Sequence, residues 1–281
     1  MNKTKDIFDE NGRRIPYKGM RVFNKNSLQY YKIKKPENNF SEILSNSKKY
    51  GGVNVKITED YFKSKCLDLL KNIGSDNLLK GILNGVAIPF ICCKSNNEKD
   101  MGLEFEKEVL PSVSLAFTEN NPNLHFKAIL QGEKKLANEI VISKRSRYQE
   151  FLNMYNSGKT IVGWYFPQAL QEYDIESQRE QMKTLPKQYN LVLSGMIDVS
   201  AALIGSPKLL INKDDYPPVL CLSAIKHSDK NLMLCYKAYG HHLEFWGMSQ
   251  MLVPGVTQVS EQWSGGLTLF APIPLILDKK L

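Results

Sequence analysis

Apolar side chains recur three or four residues apart in several parts of the chain, with polar residues between them. Four segments have this spacing: 58–73, 101–117, 145–156 and 232–252. Such spacing places the apolar residues on one face of a helix, so we predict four amphipathic helices. Thr58 is a suitable N-cap for the first helix and Gly74 follows its last turn, whereas Pro111 would kink the second.

Other segments have the β-branched and aromatic composition of buried strands. These are 136–143, 159–166, 189–202 and 218–226. The apolar run 82–93 is compatible with a buried strand or a short helix, because its periodicity does not distinguish the two. The polar stretch 171–188 predicts a loop or an exposed helix, and the tail 256–281, with its glycines and prolines, predicts a hairpin.

The first 50 residues differ from the rest of the chain in composition. They are rich in Asn, Lys, Ser and Tyr, with short apolar clusters at 21–23 and 30–33 separated by turn-forming residues. This pattern predicts two or three short edge strands, or an arm draped over the body. Because Gly51 and Gly52 then interrupt the chain, we divide it into an N-terminal arm, 1–50, and a domain, 51–281.

Composition limits the class of protein. With 281 residues and 42% hydrophobic content, the chain can bury a sizeable core. A mean hydropathy of −0.33 and the lack of an apolar run of about 18 residues argue against an integral membrane protein. The N-terminus lacks the apolar stretch of a secretory signal, so we expect a cytoplasmic protein. The five cysteines include no Cys-x-x-Cys pair, and we expect all of them to be reduced.

The net charge of +8 lies almost entirely in the N-terminal arm. Residues 1–50 contain 12 basic and 5 acidic side chains, a net charge of +7, which leaves +1 for residues 51–281. Concentrated positive charge is typical of segments that contact phosphate groups or acidic proteins. We therefore expect the arm to dock an acidic partner, and the nearly neutral body to bind duplex DNA poorly.

Two short motifs provide no site. The residues from Ser157 to Thr160 are similar to the end of a phosphate-binding loop, but Asn153 stands where that loop requires glycine. A helix C-cap followed by a strand is the better interpretation. His241 and His242 are adjacent, so on a helix their side chains point in different directions and cannot bind one metal ion.

An acid and a lysine lie on two successive predicted strands. Asp198 follows Gly195 within the first strand, and Lys226 ends the second. Adjacent strands that bring a carboxylate and a lysine to one edge of a sheet meet the needs of a metal-dependent phosphodiesterase. The carboxylate holds Mg²⁺, and the lysine orients the attacking water and stabilises the developing negative charge.

The order of these features resembles the RecB-like branch of the PD-(D/E)XK nuclease superfamily, over residues 55–252. The segments that carry the resemblance are the helix 57–66 with its late cysteine, the Gly-Leu-Glu-Phe-Glu of 102–106, the turn and strand of 154–162, the Gly-x-x-Asp of 195–198 and the closing helix around 239–246. The resemblance implies an α/β fold with a central mixed sheet flanked by helices, and a restriction-endonuclease-like core.

The resemblance also implies roles for individual residues. Glu106, or else Glu104, would be the acid of the helix, and Asp198 would be the main metal ligand. Lys226 would be the lysine of the second strand, and Mg²⁺ or Mn²⁺ would be the cofactor of an active site. The Gln-x-x-x-Tyr pair of the closing helix is replaced by His242 and Trp246, which share one helical face and are our candidates for nucleic-acid contact.

The chain departs from the family pattern at the residues that would perform the chemistry. The family needs an acid two residues before the strand lysine, but Ala224 stands there and Ser223 cannot replace the charge. This departure predicts a nuclease fold with an inactive metal site, acting as a nucleic-acid-binding or scaffolding subunit of a larger assembly. One alternative is an active, divergent Mg²⁺-dependent deoxyribonuclease, in which Glu104 or Glu106 replaces the missing acid. Another is an interaction component of a bacterial secretion or phage-type complex unrelated to nucleases.

Overall fold

A computed structural model describes residues 6–28, 30–130, 135–212, 214–239, 242–253 and 256–274. The helices are α1 (Phe40–Tyr50), α2 (Glu59–Gly74), α3 (Met101–Glu104), α4 (Leu110–Asn120), α5 (Tyr148–Asn156), α6 (Ile175–Glu180) and α7 (Met196–Gly205). The strands are β1 (Ile88–Cys92), β2 (His125–Leu130), β3 (Ile140–Ile142), β4 (Thr160–Gln171), β5 (Leu191–Leu193), β6 (Val219–Cys221), β7 (Ile225–His227), β8 (Leu232–Tyr239), β9 (His242–Ser249), β10 (Met251–Val253), β11 (Val256–Thr257) and β12 (Trp263–Ile273).

The largest sheet has the strand order β1-β4-β12-β6-β8-β9-β2, with β5 also paired to β12. It is a mixed sheet, because β12 runs antiparallel to β4 and parallel to β6. Helix α7 packs against β1, α1 and α4 pack against α7, and α2 packs against β4. The predicted α/β class, a large mixed sheet flanked by helices, is therefore confirmed. None of the described helices has the length and apolar character needed to cross a bilayer.

The centre of the sheet is the pair formed by β4 and β12. Every residue of β4 is buried, as expected of a strand with both faces covered. The predicted strand 159–166 is thus confirmed and extends further, to Gln171. At Gly163 a side chain would lie only 2.4 Å from the carbonyl oxygen of Leu269, so glycine allows the two backbones to approach.

The predicted helix 101–117 is present but irregular. A five-residue π-helical turn, Phe105–Val109, separates α3 from α4. Pro111, which has no N–H to donate, lies in the first turn of α4 directly after the widened turn. The irregularity predicted at Pro111 is therefore accommodated by the π turn just before it.

Two predicted elements are wrong, and both contain runs of buried residues. The segment 189–202 is not one strand, because it contains the short β5 followed by α7, a helix buried on every side. The segment 232–252 is not a helix, because it forms the antiparallel strands β8 and β9. In β8, Met233 and Cys235 pack in one apolar cluster while Leu234 and Tyr236 pack in another. Elements that are apolar on all faces lack the periodicity that distinguishes helix from strand.

Other predicted segments differ in detail. The run 82–93 contains both alternatives, a 3₁₀ turn and then β1. The stretch 171–188 contains α6, but Gln178, Arg179 and Gln181 are buried, so the prediction of an exposed segment is wrong. The tail forms β11 and the long β12 rather than a terminal hairpin within its described part, and residues 275–281 lie outside the described residues.

The N-terminal segment wraps around the end of β4. The described residues of 6–28 and 30–39 form only isolated bridges, such as the one between Val22 and Tyr173, so an arm draped over the body describes this part. Residues 40–50 differ from that expectation, because they form α1. Phe40 and Ile43 of α1 belong to the main core.

Arg13 fastens this segment to the body. Its side chain is only 1% exposed, and its Nη2 atom lies 3.2 Å from the carboxylate of Glu172. The Nε atom donates a hydrogen bond of 2.8 Å to the carbonyl of Gln171, and Nη2 donates another of 2.8 Å to the carbonyl of Asn24. Burial raises the pKa of the Glu172 carboxyl, and the positive charge of Arg13 offsets part of this rise.

We expect Arg13→Ala to lower the free energy of unfolding by about 3–5 kcal/mol, because it leaves Glu172 buried without its cation. Urea denaturation measures this change. Lys18→Ala, which removes an exposed cation from the same segment, is the control and should cost less than about 0.5 kcal/mol. Equal effects of the two substitutions would show that the buried ion pair does not anchor the segment.

Candidate functional site

Asp198, the predicted metal ligand, lies in the first turn of α7 and not on a strand. The side chain is fully buried. Its Oδ1 atom accepts hydrogen bonds from the Tyr148 hydroxyl at 2.8 Å and the Gly195 amide at 2.9 Å. Its Oδ2 atom accepts a hydrogen bond from the Thr268 hydroxyl of β12. The carboxylate therefore caps a helix and joins α7 to the central sheet.

The groups around Asp198 complete one another's hydrogen bonds. The Thr268 hydroxyl gives its proton to Asp198 and accepts from Ser194 at 2.7 Å. The Tyr148 hydroxyl donates to Asp198 and accepts from the Ile197 amide at 3.0 Å. This arrangement is what the burial of a carboxylate requires, because an unpaired buried charge is costly.

Burial raises the pKa of Asp198 from 3.8 to about 6, and the hydrogen bonds from Thr268 and Tyr148 limit the rise. The folded chain thus binds a proton at Asp198 more tightly than the unfolded chain. Between these two values the contribution of Asp198 to folding becomes more favourable as the pH falls.

We expect the wild-type protein to gain stability relative to the Asp198→Asn variant as the pH falls from about 7 to about 4. Asparagine keeps an oxygen that can accept from Tyr148 and Gly195 but does not titrate. Urea denaturation of both proteins across this range measures the difference. Asp68→Asn, which removes an exposed carboxyl from α2, is the control, and a difference that stays constant or reverses would contradict the assignment.

Glu104 lies at the end of α3, and its side chain is only 3% exposed. Its Oε1 atom accepts a hydrogen bond from the Tyr155 hydroxyl at 2.9 Å, and its Oε2 atom pairs with Lys94 Nζ at 2.9 Å. Glu104 and Tyr155 border a cavity of about 140 Å³ that Glu108 also lines. Burial and the charge of Glu104 raise the pKa of Tyr155, so this tyrosine stays protonated as a donor.

Glu106 faces a different cavity. Its Oε1 atom accepts a hydrogen bond from the amide of Leu136. The Glu106 side chain lines a groove beside α4. Residues two apart in a helix differ by about 200° around the axis, so Glu104 and Glu106 point in nearly opposite directions. The structure therefore directs the two acids of the predicted helix to separate surroundings.

Lys226 lies on β7, and its side chain is 43% exposed. Its Nζ atom is 3.9 Å from Oε1 of Glu176, which also binds Arg145 and Arg179. This is a surface network of ion pairs. Ser223 lies two residues before β7 begins. It is buried, and its hydroxyl donates a hydrogen bond to the side chain of Gln178.

The predicted metal and catalytic residues thus make separate sets of contacts. Asp198 binds side chains of α5 and β12, Glu104 binds Lys94 and Tyr155, and Lys226 joins the surface network. Within the described ranges, no three His, Cys, Asp or Glu side chains are grouped so that they could hold a metal ion. The roles assigned from the resemblance remain predictions.

His242 and Trp246, the predicted nucleic-acid contacts, lie on β9 and not on a helix. They still share one face, because positions four apart on a strand point to the same side. His241 lies outside the described residues. Cross-strand pairing places Tyr239 opposite His242 and places His125 of β2 on its other side.

These residues surround a buried acid, Glu244. Its Oε1 atom is 2.7 Å from Nε2 of His242, and its Oε2 atom is 3.2 Å from Nζ of Lys237. The same Nζ lies 3.4 Å from the centroid of the Trp246 ring, a cation–π contact. The His125 ring stacks on His242 with centroids 5.0 Å apart. We call these residues, together with Tyr239, the sheet-face cluster.

The charged groups of the sheet-face cluster mostly pair with one another. Glu244 forms an ion pair with Lys237, and its other carboxylate oxygen lies within hydrogen-bond distance of His242. Its most accessible ring is that of Tyr239, which is 70% exposed. Sequence reasoning missed Lys237, Glu244 and His125. A strand period of two through 235–239 and 242–246 could have placed Lys237 and Glu244 beside the two predicted residues.

A second surface is formed by the N-terminal segment. Residues 11–36 contain eight basic residues and no acidic residue. Arg13 and Arg14 are buried, and the other six are exposed. Those six are Lys18, Arg21, Lys25, Lys32, Lys34 and Lys35.

Large apolar side chains are exposed among these cations. The exposed fractions are 52% for Phe23, 64% for Leu28, 58% for Tyr30 and 66% for Tyr216. The rings of Tyr30 and Tyr216 are nearly parallel, with centroids 6.1 Å apart. We call the six exposed basic residues and these four apolar ones the basic aromatic surface. Exposed apolar side chains grouped in this way mark interaction surfaces.

Comparison with protein-family models, with curated proteins and with solved structures found no match to this chain. The function must therefore be inferred from the chain's own residues. Of the surfaces described, the basic aromatic surface has the larger number of exposed basic and aromatic side chains. Acids border it as well, since Arg21 pairs with Asp174 at 3.4 Å and Lys34 and Lys35 line a pocket with Glu37 and Glu42.

Proposed function

We propose that the protein binds single-stranded nucleic acid on the basic aromatic surface and does not cleave it. The observation that carries this proposal is a run of 26 residues, 11–36, with eight basic and no acidic side chains. Six of the eight are exposed, and the rings of Phe23, Tyr30 and Tyr216 lie among them. We further propose that the protein serves as a binding subunit of a larger assembly, as the resemblance to RecB-like nucleases implies.

The chemistry of the surface fits a single strand better than a duplex. Exposed lysines pair with phosphates and release counterions from the polymer. Exposed aromatic rings stack on unpaired bases, which a single strand offers and a duplex keeps inside its own stack. Tyr30 and Tyr216 present such rings next to Lys32, which lies in the same extended segment.

The environment of Asp198 supports a role without cleavage. Mg²⁺ is held by one or more carboxylates and keeps several waters, but Asp198 is fully buried and, among the described residues, belongs to no group of three His, Cys, Asp or Glu side chains that could hold a metal ion. Its carboxylate instead accepts three protein hydrogen bonds. Glu104 is paired with Lys94, and Glu106 accepts from the backbone. Each predicted ligand is thus engaged in holding the fold together.

We expect the double substitution Lys32→Glu with Lys34→Glu to weaken the binding of fluorescein-labelled oligothymidylate by at least about tenfold, because two phosphate contacts become repulsive. Fluorescence anisotropy at a fixed salt concentration measures the affinity. Lys63→Glu with Lys71→Glu, two exposed positions of α2, gives the same change in net charge and is the control. Equal losses in the two proteins would indicate non-specific attraction and contradict the proposal.

Tyrosine substitutions distinguish the two surfaces. Tyr30→Ala should weaken binding by the loss of one stacked base, about 1–3 kcal/mol, whereas Tyr239→Ala on the sheet-face cluster should leave it unchanged. The same anisotropy assay measures both. The opposite result would assign binding to the sheet-face cluster, as the original prediction for His242 and Trp246 requires.

We expect labelled single-stranded DNA, duplex DNA and RNA to remain intact when incubated with the protein and Mg²⁺ or Mn²⁺. Denaturing gels resolve the products. Cleavage that the wild type performs and Asp198→Asn does not would overturn this part of the proposal. It would instead support the alternative of an active deoxyribonuclease.

A further inference from the structure

A groove of about 660 Å³ runs between α4 and β2, on the face of the sheet that packs against the helices. Its lining is mostly apolar: Leu110, Pro111, Phe126, Leu130, Leu136 and Phe245. Ser114 of α4 also lines it, near the middle of the helix. A groove of this size accommodates several side chains.

Strand β2 is the edge of the large sheet beside this groove. All six of its residues pair with β9, and the described part of the chain places no strand on its other side. The opposite edge strand, β1, is fully buried and is covered by α1 and α7. In β2, by contrast, His125, Lys127 and Ala128 are exposed. An edge of this kind presents backbone groups that another strand can bind.

The surroundings of the groove are basic. Lys107, Lys127 and Lys135 are exposed and are each adjacent in sequence to a residue that lines it. The acid among the lining residues, Glu106, already accepts a hydrogen bond from the amide of Leu136. A segment that adds to β2 therefore meets an apolar wall and the cations Lys107 and Lys135 on the groove side, and Lys127 on the opposite face.

We propose that an extended segment of a partner protein adds to β2 as a further strand. In such a complex, alternate side chains point to opposite faces of the added strand. Apolar side chains would enter the groove beside α4, and acidic side chains would lie on the face that carries Lys127. The partner is therefore a segment in which apolar and acidic residues alternate.

A second copy of this chain is a poorer occupant of the same edge. Pairing of two β2 strands across their free edges would bring the exposed Lys127 side chains of both copies onto neighbouring strands. Like charges facing each other across strands are destabilising. An acidic segment removes this repulsion, which is why we commit to a partner of that chemistry.

Selection from a phage-displayed library of random peptides on the full-length protein tests the proposal. We expect the enriched sequences to alternate apolar residues with Asp or Glu. Fluorescence polarisation with one enriched peptide, made synthetically, then measures its affinity for variants. Ser114→Trp fills the groove and should weaken binding at least about tenfold, whereas Leu115→Trp, at a 49% exposed position of the same helix, should not.

A charge reversal provides a test that does not alter the groove. Lys127→Glu should weaken binding of the acidic peptide by about three- to tenfold, and Lys63→Glu on α2 should have no effect. Three results would overturn the proposal. These are enrichment without the alternating pattern, binding that is unaffected by both Ser114→Trp and Lys127→Glu, and a dimer of the protein that Ser114→Trp abolishes.

Discussion

The pairing of β4 with β12 is the constraint on which the other contacts of the molecule depend. The two strands are 12 and 11 residues long, and they approach closely at Gly163. Strand β12 also supports β5 and β6, and its Thr268 holds the carboxylate of Asp198. The end of β4 receives the N-terminal segment, since the carbonyl of Ala169 accepts from Arg14 and that of Glu172 accepts from Phe23.

Burial on both faces of this pair determines where polar groups can be used. Burying a polar side chain inside such a layer is costly unless it finds a hydrogen-bond partner within the protein. Asp198, Tyr148 and Thr268 meet this requirement together. Groups available for binding therefore lie at the periphery, on the N-terminal segment and along the β2 edge.

The amphipathic helices could be predicted from sequence because one of their faces meets solvent. The predicted helix 58–73 corresponds to α2, and 145–156 contains α5. Helix α7 could not be predicted, because apolar residues on every face remove the periodic signal. In the first part of β8, buried apolar residues on both faces mask the period of two that Lys237 and Glu244 follow further along the hairpin. The acids Asp198, Glu104 and Glu106 were singled out as metal ligands, which stays a prediction, and the side chains that they contact were not predicted. Lys94 and Tyr155, which hold Glu104, lie 10 and 51 residues from it in the chain, and neither spacing is a helix or strand period that a local pattern would show.

The attachment of the N-terminal segment also sets an order of events during synthesis. Arg13 bonds to Gln171, 158 residues later in the chain, so the segment cannot dock until β4 has left the ribosome. Contacts between such distant residues form late, after the loop between them has closed. The part of the protein that carries most of its net positive charge is thus made first but cannot dock until β4 is available. During that interval its cations are open to any nearby polyanion.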